Sequence, residues 1–208
     1  MAPPTRPPGA APEAGPTART FPPTTLVTER LVLRPFRVDD AADVHAVWND
    51  ATYLRFAPVG LATAGADLPR AVEWCTSQVE QQRRAGHGLS FAVERPDQRR
   101  LVGHVALFGT NWTTMVTDVH YWTAVGSRGR GYATEAVAAV ARWALSEQGF
   151  ARVGLRAVAD NVASRRVATA AKFHFEGILR HATLTRAGRG DLAVYSRIAP
   201  DLSASAAP

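Results

Sequence analysis

Apolar positions along the chain recur with two periods, one suited to strands and one to helices. Leu31, Leu33 and Phe36, which follow Thr28-Glu29-Arg30, predict a first strand. Asp39 and Asp40 then offer carboxylates to the free amides of a helix running to about Asn49. Residues 50–66 keep neither period and read as a loop. Over 68–84 the spacing of Ala71, Trp74, Cys75 and Val79 puts them on one helical face. Strands are expected at about 89–94, 101–108 and 117–124, with Gln98 and its neighbours turning the first into the second. A helix over about 131–147 stops at Gly149, a residue suited to the position just past a helix end. A strand at 152–158, a helix at about 162–172 and strands at 175–186 and 191–198, joined around Gly188 and Gly190, complete the run. Antiparallel strands with helices inserted around one strand–helix–strand unit predict an α+β fold.

The pattern fails at both ends. Residues 1–23 are mostly Pro, Ala, Gly and Thr, too poor in apolar periodicity to offset the entropy of ordering, so a disordered tail is expected. Residues 201–208 read the same way, leaving one domain over 24–200. At 46% apolar and 20% charged the chain has the balance of a soluble globular protein. No apolar run reaches the roughly 18 residues of a membrane span, and no secretory pattern opens the chain, so a cytoplasmic protein is expected. Cys75 is the sole cysteine, which excludes an internal disulfide and a thiolate metal cluster.

The formal charge of +6 raises the question of nucleic acid. The arginines are scattered from Arg6 to Arg197, Lys172 is the one lysine, and no run of five basic residues occurs. That distribution argues against a phosphate-tracking surface, while a basic molecule still favours an anionic cosubstrate.

The most informative segment is Ser127-Arg128-Gly129-Arg130-Gly131-Tyr132-Ala133-Thr134-Glu135-Ala136, between an expected strand and an amphipathic helix. Two glycines allow a sharp turn and a close backbone approach. The turn then presents free amides at a helix N-terminus, an anion site suited to a phosphate or pyrophosphate. Arg128 and Arg130 are placed to add charge-assisted hydrogen bonds. A P-loop would need Gly-Lys-Ser/Thr where Gly131-Tyr132 stands. A dinucleotide fingerprint would need glycine at Thr134 and an acid in the next strand, where Arg152-Val153-Gly154-Leu155-Arg156 has none.

This segment resembles the pyrophosphate-arm motif Gln/Arg-x-x-Gly-x-Gly/Ala of the GNAT superfamily, through Arg128, Gly131 and Ala133. The longer run through Ala136 is similar to the RimJ/RimL-like branch. Four further segments match in order: Thr28 to Arg34, Asn161-Val162-Ala163-Ser164-Arg165, Phe175 to Arg180 and Asp191 to Ser196. The resemblance spans about residues 26–199. It implies a single mixed, mostly antiparallel sheet of about seven strands, flanked by helices and splayed at its central strands.

The resemblance also implies the chemistry. A neutral amine attacks the thioester of acetyl-CoA directly, without an acyl-enzyme and without a metal. Pantetheine is expected between the strands at 117–124 and 152–158, with a thioester-polarising amide near Thr123–Val125. The cosubstrate would be held by Thr123, Val125, Arg128, Gly129, Arg130, Gly131, Tyr132, Ala133, Thr134, Asn161 and Ser164. Asp118-Val119-His120-Tyr121-Trp122 is similar to the branch's Glu-x-Gly-Tyr-Trp, with His120 in place of glycine. Asp118 and His120 share a strand face, so a carboxylate that orients the imidazole and raises its pKa is one reading; an exposed polar face is the other. The family's helix tyrosine falls on Ala168, which leaves Ser164 as the hydroxyl for the departing thiolate, unless Ser164 or Asn161 only caps the helix. Lys172 stands where the family has glycine, implying strain, a different turn or a contact to nucleotide phosphates.

His45, His87, His104, His174 and His181 lack metal-ligand spacing. No Gly-x-Ser-x-Gly turn supports a hydrolase. Tyr53, Phe56, Trp112 and Met115 fall in the loops expected to border the acceptor pocket. The leading expectation is an N-acetyltransferase acting on a small-molecule amine or a protein N-terminus, in a family that often forms homodimers. Transfer of a larger acyl group such as succinyl, a non-catalytic acyl-CoA-binding protein and, more weakly, a nucleic-acid-binding module are the rivals.

Overall fold

A computed structural model describes residues 19–59, 66–97 and 100–204; the turn expected at Gln98 lies outside the described residues. The strands are Leu26–Val27 (β1), Val32–Arg34 (β2), Leu89–Arg95 (β3), Arg100–Asn111 (β4), Val116–Thr123 (β5), Arg152–Val158 (β6), His174–Thr185 (β7) and Gly188–Ile198 (β8). They form one sheet in the order β1-β2-β3-β4-β5-β6-β8-β7, one strand more than expected. All neighbours are antiparallel except β5 and β6. That parallel pair needs a crossover, and the helix Tyr132–Ser146 (α5) supplies it.

Strand alternation divides the core between the two sheet faces. On one face Val105, Leu107, Val119, Val153 and Leu155 meet Val137, Val140, Ala141 and Ala144 of α5, a stripe at helical spacing. Each buried valine contributes about 1.5–3 kcal/mol. The helix Val162–Ala170 (α6) adds Ala168, fully buried. On the other face Ala92, Leu101, Trp122 and Ala124 pack against Ala41, Val44, Val47 and Trp48 of the helix Ala41–Trp48 (α1) and against Ala71 and Cys75. The last two belong to a segment read as one helix. It runs as Leu68–Glu73 (α3), a π-helical turn Trp74–Gln78 and Val79–Arg84 (α4).

Three expectations need correction. Residues 50–66 are not all loop: Ala51–Phe56 is a helix (α2), capped by Asp50, whose carboxylate accepts the Tyr53 amide at 2.9 Å. The tail reading of 1–23 fails at Phe21, which is fully buried and packs its ring 4.8 Å from Trp112 and 6.0 Å from Phe150. One aromatic side chain thus anchors a stretch whose average composition argues for disorder. At the other end Pro200–Ala204 forms a helix (α7), with Leu202 against the core and Asp201 accepting the Ile198 amide at 2.9 Å.

Lys172 keeps the left-handed backbone that glycine would favour, at φ +64°, and its side chain is exposed. Its amide bonds the Thr169 carbonyl at 3.0 Å, closing the end of α6. The turn is therefore retained with a strained residue in it.

Candidate active site

The parallel pairing of β5 with β6 runs only from Val116 opposite Arg152 to Val119 opposite Leu155. Beyond it β5 stays with β4 up to Thr123, and β6 stays with β8 up to Val158. The two central strands therefore diverge, as expected, leaving a gap floored by neither neighbour. Ala124 donates its amide to the Val102 carbonyl on β4 at 3.0 Å. Antiparallel alternation then directs the amides of Thr123 and Tyr121 to the opposite side, into the gap. On β6, Ala159 bonds Asp191 at 2.9 Å, so the backbone of Arg156 faces the gap from the other side. Val125 begins a short 3-10 turn and its side chain is 56% exposed.

At the C-terminal end of β5 the chain turns through Gly129 at φ +74° and Gly131 at φ +79°, conformations that side chains with a Cβ rarely adopt. Gly131 is the N-cap of α5 without a side-chain cap. The first helical bond runs from the Glu135 amide to the Gly131 carbonyl at 3.1 Å. The amides from Gly131 through Tyr132, Ala133 and Thr134 therefore have no partner within the helix, and the dipole adds to their attraction for an anion. This donor set fits a pyrophosphate.

The neighbouring arginines are arranged differently from the sequence expectation. Arg128 turns into the protein: one guanidinium nitrogen meets the Asp50 carboxylate at 2.5 Å, and Nε donates to the Thr123 carbonyl at 3.3 Å. It ties the turn to the cap of α2. The Asp50 carboxyl is held below its usual range; its burial opposes this, and the Arg128 and backbone hydrogen bonds outweigh that burial. The residue that braces the turn is Arg30. Its Nε reaches Glu135 at 2.7 Å and another nitrogen reaches the Arg130 carbonyl at 3.1 Å, while its own amide and the Thr28 hydroxyl bond the same Glu135 carboxylate at 2.9 and 2.6 Å. Thr28 and Arg30 of the opening segment thus meet Glu135 of the turn motif. Each pattern was visible in sequence; their contact, more than 100 residues apart, was not. The Tyr132 ring is buried beneath Arg30, and its hydroxyl accepts from Arg95 at 3.0 Å, so its side chain is structural while its amide faces the turn.

The two sheet faces carry different chemistry beside the gap. On the α6 face the Tyr121 hydroxyl donates to the Ser164 Oγ at 2.8 Å. Asn161 caps α6, its side-chain oxygen accepting the Ser164 amide at 3.0 Å, so the capping reading holds for Asn161 and leaves the Ser164 hydroxyl to Tyr121. Burial pushes the Tyr121 phenol up to about 12, and the Ser164 contact opposes that only in part. It therefore stays protonated at neutral pH. The hydroxyl on this face comes from a strand tyrosine, not from the helix position, Ala168, to which the family pattern points.

On the opposite face stand Asp118, His120 and Trp122, with His104 beside them. The expected raised imidazole is not found. Asp118 pairs with Arg156 across the start of the gap at 3.0 Å, which uses its charge. A Cβ at Gly154 would come within 2.1 Å of the Asp118 Oδ1, so the glycine makes room for that carboxylate over β6. The His120 ring instead packs 5.0 Å from His104 and 6.0 Å from Phe108, and burial pushes its pKa down to about 4. His104 is 3% exposed, and neither ring nitrogen has a hydrogen-bond partner among the described residues. Leaving such groups unpaired costs about 1–3 kcal/mol. Its pKa is lowered by burial first and by the nearby His120 second. Among the described residues no group of three or more His, Cys, Asp and Glu side chains is arranged to hold a metal ion.

Comparison with known proteins gives a consistent picture. A family model described as Acetyltransferase (GNAT) domain matches residues 30–174. An uncharacterized N-acetyltransferase of Bacillus subtilis, YoaA, is 25% identical over 181 residues, covering 84% of this chain and 97% of that protein. The Mycobacterium smegmatis RimJ structure, in complex with CoA-disulfide, superposes with a TM-score of 0.73 at 22% identity, over 88% of this chain and 95% of that one. The Microcin C7 self immunity acetyltransferase MccE, in complex with acetyl-CoA and AMP, gives a TM-score of 0.72 at 17% identity, over 82% and 93%.

Proposed function

Because the chain belongs to the GNAT acetyltransferase family, we propose that it moves an acetyl group from acetyl-CoA to a primary amine, of a small molecule or a protein N-terminus, by direct attack, as a RimJ/RimL-like enzyme. One observation carries this reading: the gap between β5 and β6 opens at the end of β5 that leads into the unpaired amides of α5. A diphosphate at those amides and a thioester in the gap are reached by one continuous ligand. The amides of Gly131 to Thr134, with Gly129 and Arg130 alongside, cradle the pyrophosphate; Arg128 contributes by fixing the turn to Asp50. The Thr123 amide polarises the thioester carbonyl.

The amine nitrogen forms the new C–N bond as the C–S bond breaks. His120, neutral at working pH, accepts the amine proton. Because burial makes it a weak base, the acceptor enters already neutral and loses its proton only after attack has made that nitrogen acidic. The thiolate takes a proton from the Tyr121–Ser164 pair, whose high phenol pKa keeps that proton available. Asp118 and Arg156 clasp the strands where they part.

A second reading, transfer of a carboxylate-bearing acyl group such as succinyl, draws support from Arg156, whose side chain is 54% exposed at the gap. A homodimer is supported by β7, a sheet edge on which Phe175, Ile178, Leu179 and Leu184 are 42–49% exposed. The test is acetyl-CoA and succinyl-CoA binding by calorimetry, followed by free-thiol release with a panel of amines and N-terminal peptides. Binding with turnover supports the enzyme and ranks the acyl groups. Binding without turnover across a wide panel favours an acyl-CoA-binding protein, and salt-sensitive DNA or RNA binding without any for CoA favours the third alternative.

A further inference from the structure

His104 is not used by the reaction scheme, yet it lies next to the base. Its ring sits in a box of four others, with Phe36 at 5.4 Å, Trp74 at 5.4 Å, Trp122 at 5.5 Å and His120 at 5.0 Å. Phenylalanine would fill such a box and leave no polar atom unpaired, so packing alone does not call for histidine. Trp74 closes the box from the opening residue of the π-helical turn, an irregularity frequent at functional sites. The register favours the pair as well. His120 lies opposite Ala106 and His104 opposite Trp122, so the small side chain of Ala106 lets the His120 ring lean diagonally towards His104.

We infer that His104 is a positioning residue for the transfer: it holds the His120 ring and offers it an unshared nitrogen lone pair when the amine proton arrives. Before the reaction both imidazoles are neutral, held so by burial. Taking the amine proton on its free nitrogen makes His120 an imidazolium whose other N–H becomes a stronger donor. The adjoining His104 ring, 5.0 Å away between centroids and without a hydrogen-bond partner among the described residues, holds the lone pair to accept it. His104 gains no proton; the one on His120 returns to solvent with product release. Asp118, two residues along the same strand, is paired with Arg156 of β6 at 3.0 Å, so its carboxylate is already committed. Imidazolium stabilisation therefore falls to the ring neighbour. The inference rests on His120 as the base.

The test compares wild type, His104→Phe, His104→Gln, His120→Phe and the His104→Phe/His120→Phe double variant. Thiol release is followed at saturating acetyl-CoA with alanine- and serine-initiated tetrapeptides, spermidine and aniline, with melting temperature and acetyl-CoA affinity measured on each protein. His104→Phe should melt no lower than wild type and bind acetyl-CoA and acceptor within about twofold, yet lose about tenfold or more in kcat. Glutamine, which keeps an acceptor, should restore part of that rate. In the His120→Phe background His104→Phe should have little further effect, the mark of two residues acting as one. Wild-type kcat in His104→Phe, a marked drop in its melting temperature, or additive losses in the double variant would overturn the inference while leaving the base intact. Wild-type kcat in His120→Phe would remove the base itself, and no turnover by wild type with any of the amines overturns both.

Discussion

Glu135 is the keystone of the braced turn, and its removal has a calculable effect. One carboxylate oxygen accepts the Thr28 hydroxyl at 2.6 Å and the Arg30 amide at 2.9 Å; the other meets the Arg30 guanidinium at 2.6 Å. The Arg30 side chain is 46% exposed, so the ionic part is screened and contributes less than about 1 kcal/mol. The Thr28 and amide bonds to a charged acceptor contribute about 1.5 kcal/mol each, and an acid in the first turn of α5 about 0.5 kcal/mol. Glu135→Ala should therefore destabilise the protein by about 4 kcal/mol, lowering the melting temperature by about 8–16 °C for a domain of this size. Since Arg30 also holds the Arg130 carbonyl, the freed turn should bind acetyl-CoA about tenfold more weakly. Circular dichroism melting gives the first quantity and calorimetry the second. The loss should be full above pH 5. The Glu135 pKa is lowered, its burial being outweighed by Thr28 and Arg30, so its contribution fades as pH falls below the unfolded value near 4.3. A variant that melts within about 1 °C of wild type and keeps its affinity would refute the bracing argument.

Other predictions follow the same reasoning. Gly131→Ala forces a side chain into φ +79° with its Cβ 3.3 Å from Arg30, and should weaken acetyl-CoA binding measurably by calorimetry. Tyr121→Phe combined with Ser164→Ala should lower kcat by about 100-fold with acetyl-CoA affinity unchanged, read by stopped-flow thiol release; an unchanged rate assigns the thiolate proton to water. Lys172→Gly relieves the left-handed lysine and should raise stability by about 1 kcal/mol in urea titrations. His120 has a depressed folded pKa, so its stabilising neutral form is fully present above pH 6.5 and lost as pH falls towards 4. Between those limits stability should drop by about 1.4 kcal/mol per pH unit for this group, and His120→Phe should remove that share of the slope while the buried His104 keeps its own.

What was readable in advance was local. The span 152–158 of β6, the α5 stripe at Val137, Val140, Ala141 and Ala144, and the two positive-φ glycines all follow from periods and residue types within one segment. The splay followed from resemblance. What escaped depends on partners distant in sequence. Phe21 is an isolated aromatic until Trp112 and Phe150 surround it. Arg128 looks like a phosphate ligand until Asp50 takes its guanidinium. Asp118 beside His120 looks like a dyad until Arg156 crosses from the next strand and burial lowers the imidazole. His104 was indistinguishable from the other scattered histidines until four rings closed around it.

The most direct test of the proposed acetyl transfer is calorimetric titration of acetyl-CoA into the wild-type protein and into Gly131→Asp. The account predicts saturable one-site binding by wild type and its loss in the variant, where a carboxylate and its carbon chain enter the turn that would hold the pyrophosphate. No binding by wild type, or equal binding by both proteins, would contradict it.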